Sequence, residues 1–285
     1  MTTYAVTGAT GPFGRHAVEE LLSRGVSAAD VVAVVRTPSK AADLAERGVQ
    51  VREGDYSRPE TLPAALAGVD RLLLVSGSEP GKRIPQHTAV VEAAQAAGVG
   101  RIVYTSILRA DTTSNPLAGD HLATEQVLHA SGIPSTVVRN GWYVETYTSQ
   151  LGQYLATGEL LGAAGDGKVS GAPRADYAAA AAAALLADVE GDLTYELGGP
   201  AFSFADLAAT ITEVTGTTVV SHDLSVPEYA AALQQHGLDE GTAGFVAALD
   251  ASIAAGDLET DSTDLADLLG RPVTPLADVV RAAQA

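Results

Sequence analysis

The sequence predicts an α/β fold, in which a doubly wound parallel sheet is followed by a smaller, mostly helical C-terminal lobe. A glycine-rich turn near the N-terminus joins a short strand to a helix. Short apolar runs then alternate with helical segments through the first 150 residues, which is typical of βαβ units with buried strands. Beyond residue 150 this alternation is lost. We therefore expect a sheet domain over residues 1–150 and a substrate lobe over 151–285, with some segments returning to the sheet.

The glycine-rich turn has the spacing of a dinucleotide-binding site. It lies between a predicted strand at residues 3–6 and a predicted helix at 15–23. Its glycines permit a tight turn, close approach of a pyrophosphate and close packing of strand and helix, and the helix N-terminus offers free N–H groups to the phosphates. The turn therefore predicts a Rossmann domain, with cofactor contacts from Gly8, Thr10, Gly11, Pro12, Phe13 and Gly14.

The second predicted strand, residues 30–36, ends where a dinucleotide-binding domain contacts the adenosine ribose. An acidic residue there usually binds the ribose of NAD, whereas this sequence has Arg36, followed by Lys40. Both cations suit the additional 2′-phosphate of NADP, so we expect NADPH as the cofactor. The alternative is that Arg36 is merely an exposed arginine that leaves the strand.

The remaining elements of the sheet domain follow the same alternation. Strands are predicted over residues 49–52, 70–76, 101–106 and 135–139, and helices from residue 37 and over 59–66, 84–97 and 117–130. Ligands of such sheets lie beyond the C-terminal ends of the strands. Asp55 and Tyr56 are therefore expected beside the adenine, unless they only form a turn, and Ser76 and Gly77 are expected along the cofactor.

The C-terminal lobe is predicted to begin with a glycine-rich connection over residues 160–168. Residues 174–176 are predicted to lead into an alanine-rich helix that ends at 186. Strands are then predicted over 194–197 and 218–221, and further helices over 205–215, 226–235, 242–254, 263–269 and from 274.

Composition limits the classes of function. A net charge of −18 should repel nucleic acid, and no apolar run reaches the roughly 20 residues of a membrane span. The absence of cysteine excludes disulfides, thiol catalysis and zinc–thiolate sites, and the histidines are too scattered to suggest a metal site. The N-terminus has no secretory signal pattern, so a cytoplasmic protein is expected.

One catalytic pattern is missing. Reductases of the short-chain dehydrogenase class use a serine together with a Tyr-x-x-x-Lys pair on the following helix. Ser106 lies at the expected place, but the helix carries His121 and Glu125 at that spacing instead. This substitution argues against ordinary carbonyl reduction.

Several motifs resemble the NmrA-like atypical short-chain dehydrogenases. They are residues 7–11 (TGATG), 34–40 (VVRTPSK) and 104–106 (YTS). Four further motifs resemble those of the bacterial NADPH:quinone oxidoreductases of that group. They are residues 85–87 (PQH), 139–143 (RNGWY), 162–168 (GAAGDGK) and 174–181 (RADYAAAA). The resemblance implies an NADPH-binding Rossmann domain, a small C-terminal domain and direct hydride transfer to a small quinone. It also implies that His121 and Glu125 are the usual residues of this group in place of the Tyr-x-x-x-Lys pair. A homodimer is one assembly to test.

A quinone needs less acid catalysis than a ketone, so positioning can supply more of the rate. We expect Asn140 to donate a hydrogen bond to the developing oxyanion and His121 to be the proton source. Tyr143 and Trp142 are expected to form walls for the quinone ring, although a lone tryptophan could equally pack in the core. His87 is expected either to face the nicotinamide or to be exposed.

Two other functions compete with quinone reduction. A non-catalytic NADP-binding redox sensor, as some NmrA-like proteins are, would need no aromatic-walled pocket beside the nicotinamide. A reductase of another activated carbonyl or double bond would share the pocket but differ in its acceptor.

Overall fold

A seven-stranded parallel sheet forms the centre of the computed structural model, which describes residues 1–79 and 81–284. The strands are β1 (Tyr4–Thr7), β2 (Val31–Val35), β3 (Gln50–Glu53), β4 (Arg71–Leu74), β5 (Arg101–Ile107), β6 (Ser135–Asn140), β7 (Trp142–Tyr143), β8 (Glu159–Gly162), β9 (Gly171–Ala172), β10 (Leu193–Leu197) and β11 (Val220–Asp223). The helices are α1 (Pro12–Ser23), α2 (Ala42–Glu46), α3 (Leu62–Leu66), α4 (Arg83–Ala97), α5 (Ala118–Ser131), α6 (Glu145–Thr148), α7 (Leu151–Thr157), α8 (Arg174–Leu186), α9 (Phe204–Thr215), α10 (Val226–Gln235), α11 (Glu240–Ala254), α12 (Asp264–Leu269) and α13 (Leu276–Ala282).

The order of strands in the sheet is β10-β6-β5-β4-β1-β2-β3, and every neighbouring pair is parallel. The chain reverses its direction of travel across the sheet between β1 and β4. A crevice forms at such a point, outside the C-terminal ends of the strands. The predicted doubly wound Rossmann fold is confirmed.

Apolar layers cover both faces of the sheet. On one face α1 packs against β1 and β2, α8 against β4, β5 and β6, and α12 against β10, through residues such as Val18, Leu21 and Leu265. Alanines fill most of the buried face of α8, and their small side chains let this helix lie close to α1. On the other face α3, α4 and α5 contribute Leu66, Val90 and other apolar residues.

The chain after residue 150 contributes both to the central sheet layers and to a separate C-terminal lobe. Strand β10 pairs with β6 and helix α8 covers the sheet, so both belong to the central layers. Helix α12 packs with α8 in the same layer. Most of the other segments join α6 in a third apolar cluster, which includes Tyr147, Phe204 and Ile253. Two small parallel pairs, β8 with β11 and β7 with β9, complete this lobe.

Several predicted boundaries were wrong. The helix expected from residue 37 is a 3₁₀ turn, Pro38–Ala41, that leads into α2, and the strand expected at 218–221 is Val220–Asp223. Helices α6 and α7 and strands β7, β8 and β9 were not predicted. Strand β4 ends at Leu74, which leaves Ser76 and Gly77 in the following loop; Pro80 of that loop lies outside the described residues. Over the described ranges, no helix is both long and apolar enough to cross a membrane.

Candidate active site

A cavity of about 540 Å³ opens at the C-terminal ends of the central strands. The glycine-rich turn, Arg36 and the loops after β3 and β4 line one end. The last residues of β5 and β6, the first turns of α5 and α8, and strand β7 line the other. We call these the nucleotide end and the acceptor end. The cavity walls include most of the site residues expected from the sequence: Gly8, Thr10, Gly11, Pro12, Phe13, Gly14, Arg36, Asp55, Tyr56, Ser76, Gly77, Ser106, His121, Asn140, Trp142 and Tyr143.

The glycine-rich turn has the geometry of a phosphate cradle. Gly8 has a φ of +59°, in the left-handed region that favours glycine. A Cβ atom added at Gly14 would overlap the carbonyl oxygen of Gly8, so strand and helix could not pack this closely with any other residue. The first turn of α1 has no side-chain cap, and its N–H groups are therefore available to an anion. These features fit a dinucleotide.

Arg36 lies at the rim of the nucleotide end. Its side chain is 74% exposed, and its nearest carboxylate oxygen, on Glu79, is 3.7 Å from Nη1. The guanidinium is therefore free to meet a phosphate. Lys40, by contrast, is exposed on the 3₁₀ turn and does not line the cavity, so the structure does not bring the second expected cation to the site.

Asp55 and Tyr56 both line the nucleotide end and also hold the local chain. The Asp55 carboxylate accepts a hydrogen bond from the backbone N–H of Ser57, at 2.9 Å. The Tyr56 hydroxyl lies 2.8 Å from the carbonyl oxygen of Val75. The turn-forming alternative is therefore compatible with a place beside the cofactor.

His87 requires a correction. It is fully buried and does not line the cavity, so it neither faces the nicotinamide nor is exposed. Its Nε2 accepts a hydrogen bond from the backbone N–H of Gly77 at 2.9 Å, and its Nδ1 lies 2.9 Å from the hydroxyl of Thr124. Burial, with a contribution from the nearby Arg83, lowers the pKa of His87 to about 4. A neutral His87 therefore fixes the backbone of the loop that carries Ser76 and Gly77.

Asn140 ends β6 and lines the acceptor end of the cavity. Its side chain is buried, yet neither amide atom has a hydrogen-bond partner among the described residues. A buried amide without partners is costly, and such groups in native proteins are nearly always satisfied by water, an ion or a ligand. The arrangement leaves both N–H bonds of this amide available to a bound molecule.

Ser106 is held by a charged network. Its hydroxyl donates a hydrogen bond to Glu125, and Glu125 forms a two-pronged ion pair with Arg139, at 2.7 and 3.1 Å. Glu125 stands where the missing Tyr-x-x-x-Lys pair would place its lysine. Because the Ser106 proton is directed to a carboxylate, this hydroxyl is left as a hydrogen-bond acceptor toward the cavity.

Trp142 and Tyr143 form the aromatic wall at the acceptor end. Strand β7, which they make up, pairs with β9, with Tyr143 opposite Ala172. The Tyr143 ring packs 6.3 Å from that of Phe13 and 5.6 Å from that of Tyr177. Burial raises the pKa of Tyr143 to about 12. The two rings thus line the cavity, and Trp142 also packs against the apolar cluster of the C-terminal lobe, so both interpretations of this tryptophan have a structural basis.

His121 lines the cavity, but the structure does not favour it as a proton source. Its Nδ1 lies 2.8 Å from the hydroxyl of Tyr104, and burial is the main reason that its pKa falls to about 3. Arg83 and His87 lower the pKa further. The ring is therefore neutral at physiological pH and can offer a hydrogen bond from Nε2 when Tyr104 donates to Nδ1.

This geometry predicts a small effect for His121→Ala. We expect kcat to fall by well under the roughly 100-fold that removal of a general acid costs. The folded-state pKa of about 3 means that the imidazole loses its proton far below neutrality. Rate profiles of wild type and variant should therefore show no imidazole titration between about pH 5 and 8. An inflection in the wild type that disappears in the variant would restore His121 as the proton source.

Sequence reasoning missed several cavity residues. Arg83 and Gln86 lie on the first turns of α4; the Arg83 Nε donates to the carbonyl oxygen of Gly77, and Gln86 donates to Ser57, both at 2.9 Å. Their position at the start of a helix that follows a strand was a usable signal. Arg174 and Thr146 line the acceptor end because of the β7–β9 pairing, which no local pattern indicated.

Comparisons with known proteins agree with this geometry. Residues 8–188 match the family described as NAD(P)H-binding. The chain is 46% identical to quinone oxidoreductase 2 of Escherichia coli K12, over 97% of this chain and 96% of that protein. It is 32% identical to an NmrA-like family domain-containing oxidoreductase of Aspergillus flavus, over 98% of this chain and 94% of that protein. The NADPH complex of the E. coli NADPH-dependent quinone oxidoreductase QOR2 superposes with a TM-score of 0.95 at 46% identity, covering 99% of this chain and 100% of the other.

Proposed function

Because the chain belongs to the NAD(P)H-binding family of NmrA-like oxidoreductases, we propose that it is an NADPH-dependent quinone oxidoreductase that transfers a hydride directly to the quinone. The observation that carries this proposal is the Asn140 amide, which no described residue hydrogen-bonds, in the same cavity as a dinucleotide turn. The cavity thus joins a cofactor site to a hydrogen-bond donor that lacks an acceptor. A redox sensor would not need that donor or the aromatic wall.

The nucleotide end holds the cofactor, which supplies the hydride when bound. The N–H groups at the start of α1 bind the pyrophosphate, and Arg36 binds the 2′-phosphate. Gly77, fixed by the buried His87, shapes the loop along the cofactor. Each of these groups binds or orients the cofactor, and none needs to exchange a proton with it.

The acceptor end stabilises the charge that develops on a quinone oxygen. The Asn140 amide donates to that oxygen, while Trp142 and Tyr143 hold the ring flat against the cavity wall. The Ser106 proton is directed to Glu125 and His121 is neutral, so neither is a strong acid. A quinone suits such a site because its reduced oxygen is far less basic than an alkoxide and can take its proton from water.

Turnover with a panel of acceptors tests the proposal. NADPH oxidation by the purified protein should occur with small quinones and without added flavin or metal. Ketones and a blank without acceptor should give little or no oxidation. Tight NADPH binding without turnover of any quinone would support the function of a redox sensor. Faster turnover of another activated carbonyl or double bond would show that the substrate is not a quinone.

Two further parts of the proposal concern the setting of the enzyme. We propose that it acts in the cytoplasm on a small-molecule quinone, and a homodimer is the assembly to test. Fractionation of the source cells tests the location, and light scattering on the purified protein tests the dimer.

A further inference from the structure

Arg174 occupies a fixed place at the acceptor end. It follows β9 and begins α8, and the pairing of β9 with β7 sets it beside Tyr143. The guanidinium carbon lies 4.9 Å from the centre of the Tyr143 ring. The backbone N–H of Arg174 donates to both carboxylate oxygens of Glu145, at 2.9 and 3.1 Å. The backbone is thus anchored on one side and the side chain rests on an aromatic face on the other.

The other two cavity arginines each have a carboxylate within 4.0 Å. Arg36 lies 3.7 Å from Glu79, and Arg83 lies 3.7 Å from Asp120 and also donates to the Gly77 carbonyl oxygen. Within residues 1–79 and 81–284, no carboxylate oxygen lies within 4.0 Å of the Arg174 guanidinium nitrogens, and they make no hydrogen bond. The aromatic contact orients the cation but supplies no acceptor for its five N–H groups.

An unpaired guanidinium in a partly buried cavity favours an anion. A carboxylate or sulfonate can accept two parallel hydrogen bonds from it, in the geometry that arginine recognises best. The protein as a whole carries a net charge of −18, which repels anions at long range. A local cation at the acceptor end therefore has a specific effect: it lets an acidic acceptor bind in spite of that field.

We propose that Arg174 forms a subsite for an anionic substituent on the quinone ring, a carboxylate or a sulfonate, in the cavity that Thr146 also lines. This inference rests on the proposed quinone reductase function and names the acceptor class. Asn140 binds the reacting oxygen in the same cavity, whereas Arg174 binds a group that does not react. Arg174 is thus a specificity residue.

A matched pair of acceptors tests the subsite by kinetics: 1,2-naphthoquinone and 1,2-naphthoquinone-4-sulfonate. Arg174→Ala should lower kcat/KM for the sulfonate by about 10- to 100-fold, the range expected when a hydrogen-bonded charge pair is lost. The neutral quinone should change by less than about 3-fold, since it makes no such contact. Arg174→Lys should recover part of the sulfonate activity. Arg24→Ala is the matched control, since Arg24 is exposed at the far end of α1 and its loss makes the same change in net charge. It should leave kcat/KM unchanged for both quinones.

Binding supplies a readout that does not need turnover. Trp142 is the single tryptophan of the chain and lines the cavity, so its fluorescence reports aromatic ligands there. Naphthalene-2-sulfonate should bind the NADPH-loaded wild type more tightly than 2-naphthol, and Arg174→Ala should remove that preference. Equal losses for both ligands, no loss for either, or a parallel rise in the NADPH dissociation constant would overturn the subsite. Sulfonate-selective binding without any quinone turnover would instead contradict only the proposed function.

Discussion

Replacing Asn140 with alanine is expected to lower kcat for quinone reduction by roughly 100-fold, the typical cost of losing one oxyanion donor. The NADPH dissociation constant should stay nearly unchanged, because Asn140 lies at the acceptor end and the phosphates bind at the other. The loss should be in kcat more than in KM, since the hydrogen bond strengthens as charge develops on the oxygen. Steady-state rates and cofactor titrations of both proteins measure this.

The stability of the same variant separates catalysis from folding. Both amide atoms of Asn140 are buried and have no partner within residues 1–79 and 81–284, so their removal takes away a desolvation cost rather than a hydrogen bond. The melting temperature of Asn140→Ala should therefore not fall markedly. Asn140→Asp, which keeps the shape but places a carboxylate next to the developing oxyanion, should lose more activity than alanine does. Full activity in Asn140→Ala, or loss of NADPH binding, would make Asn140 a structural residue.

Replacing Arg36 with alanine is expected to weaken NADPH binding by about 10- to 150-fold, since a hydrogen bond to a charged group contributes roughly 1.5–3 kcal/mol. Before it binds the 2′-phosphate, the exposed guanidinium has to break only a long ion pair, with the Glu79 carboxylate at 3.7 Å. NADH has no such phosphate, and its weaker binding should barely change. Dissociation constants of both cofactors for wild type and variant measure the difference.

Two companion variants sharpen the test of cofactor choice. Arg36→Asp should repel the phosphate and accept a hydrogen bond from the ribose hydroxyl, which shifts the preference toward NADH. Lys40 does not line the cavity, so Lys40→Ala should cost much less than Arg36→Ala. If Arg36→Ala weakened the binding of NADPH and NADH equally, Arg36 would only support the fold. No residue would then account for a preference for NADP.

The sheet domain could be predicted because its signals are local. The glycine-rich turn and the continuous apolar strands, such as Val31–Val35, each indicate their structure within a few residues. The C-terminal lobe was less predictable because its short elements depend on distant partners. Strand β8 pairs with β11 some 60 residues later, and β9 pairs with β7 across two helices and β8.

The same distinction applies to the site. Arg36 and Asn140 could be placed in the cavity because each follows or ends a strand of the sheet. His87 could not, since its contact with Gly77 depends on how α4 packs. The direction of the Ser106 proton depends on the pairing of Glu125 with Arg139, which only the tertiary structure establishes.

Direct hydride transfer from NADPH to a quinone needs no other redox group in the cavity. Rapid anaerobic mixing of the NADPH-loaded, flavin-free protein with one equivalent of a neutral quinone tests it most directly. We expect loss of NADPH absorbance matched by an equal amount of hydroquinone, and a slower reaction when the transferring position of NADPH carries deuterium. Hydroquinone that forms only after flavin is added would contradict the claim.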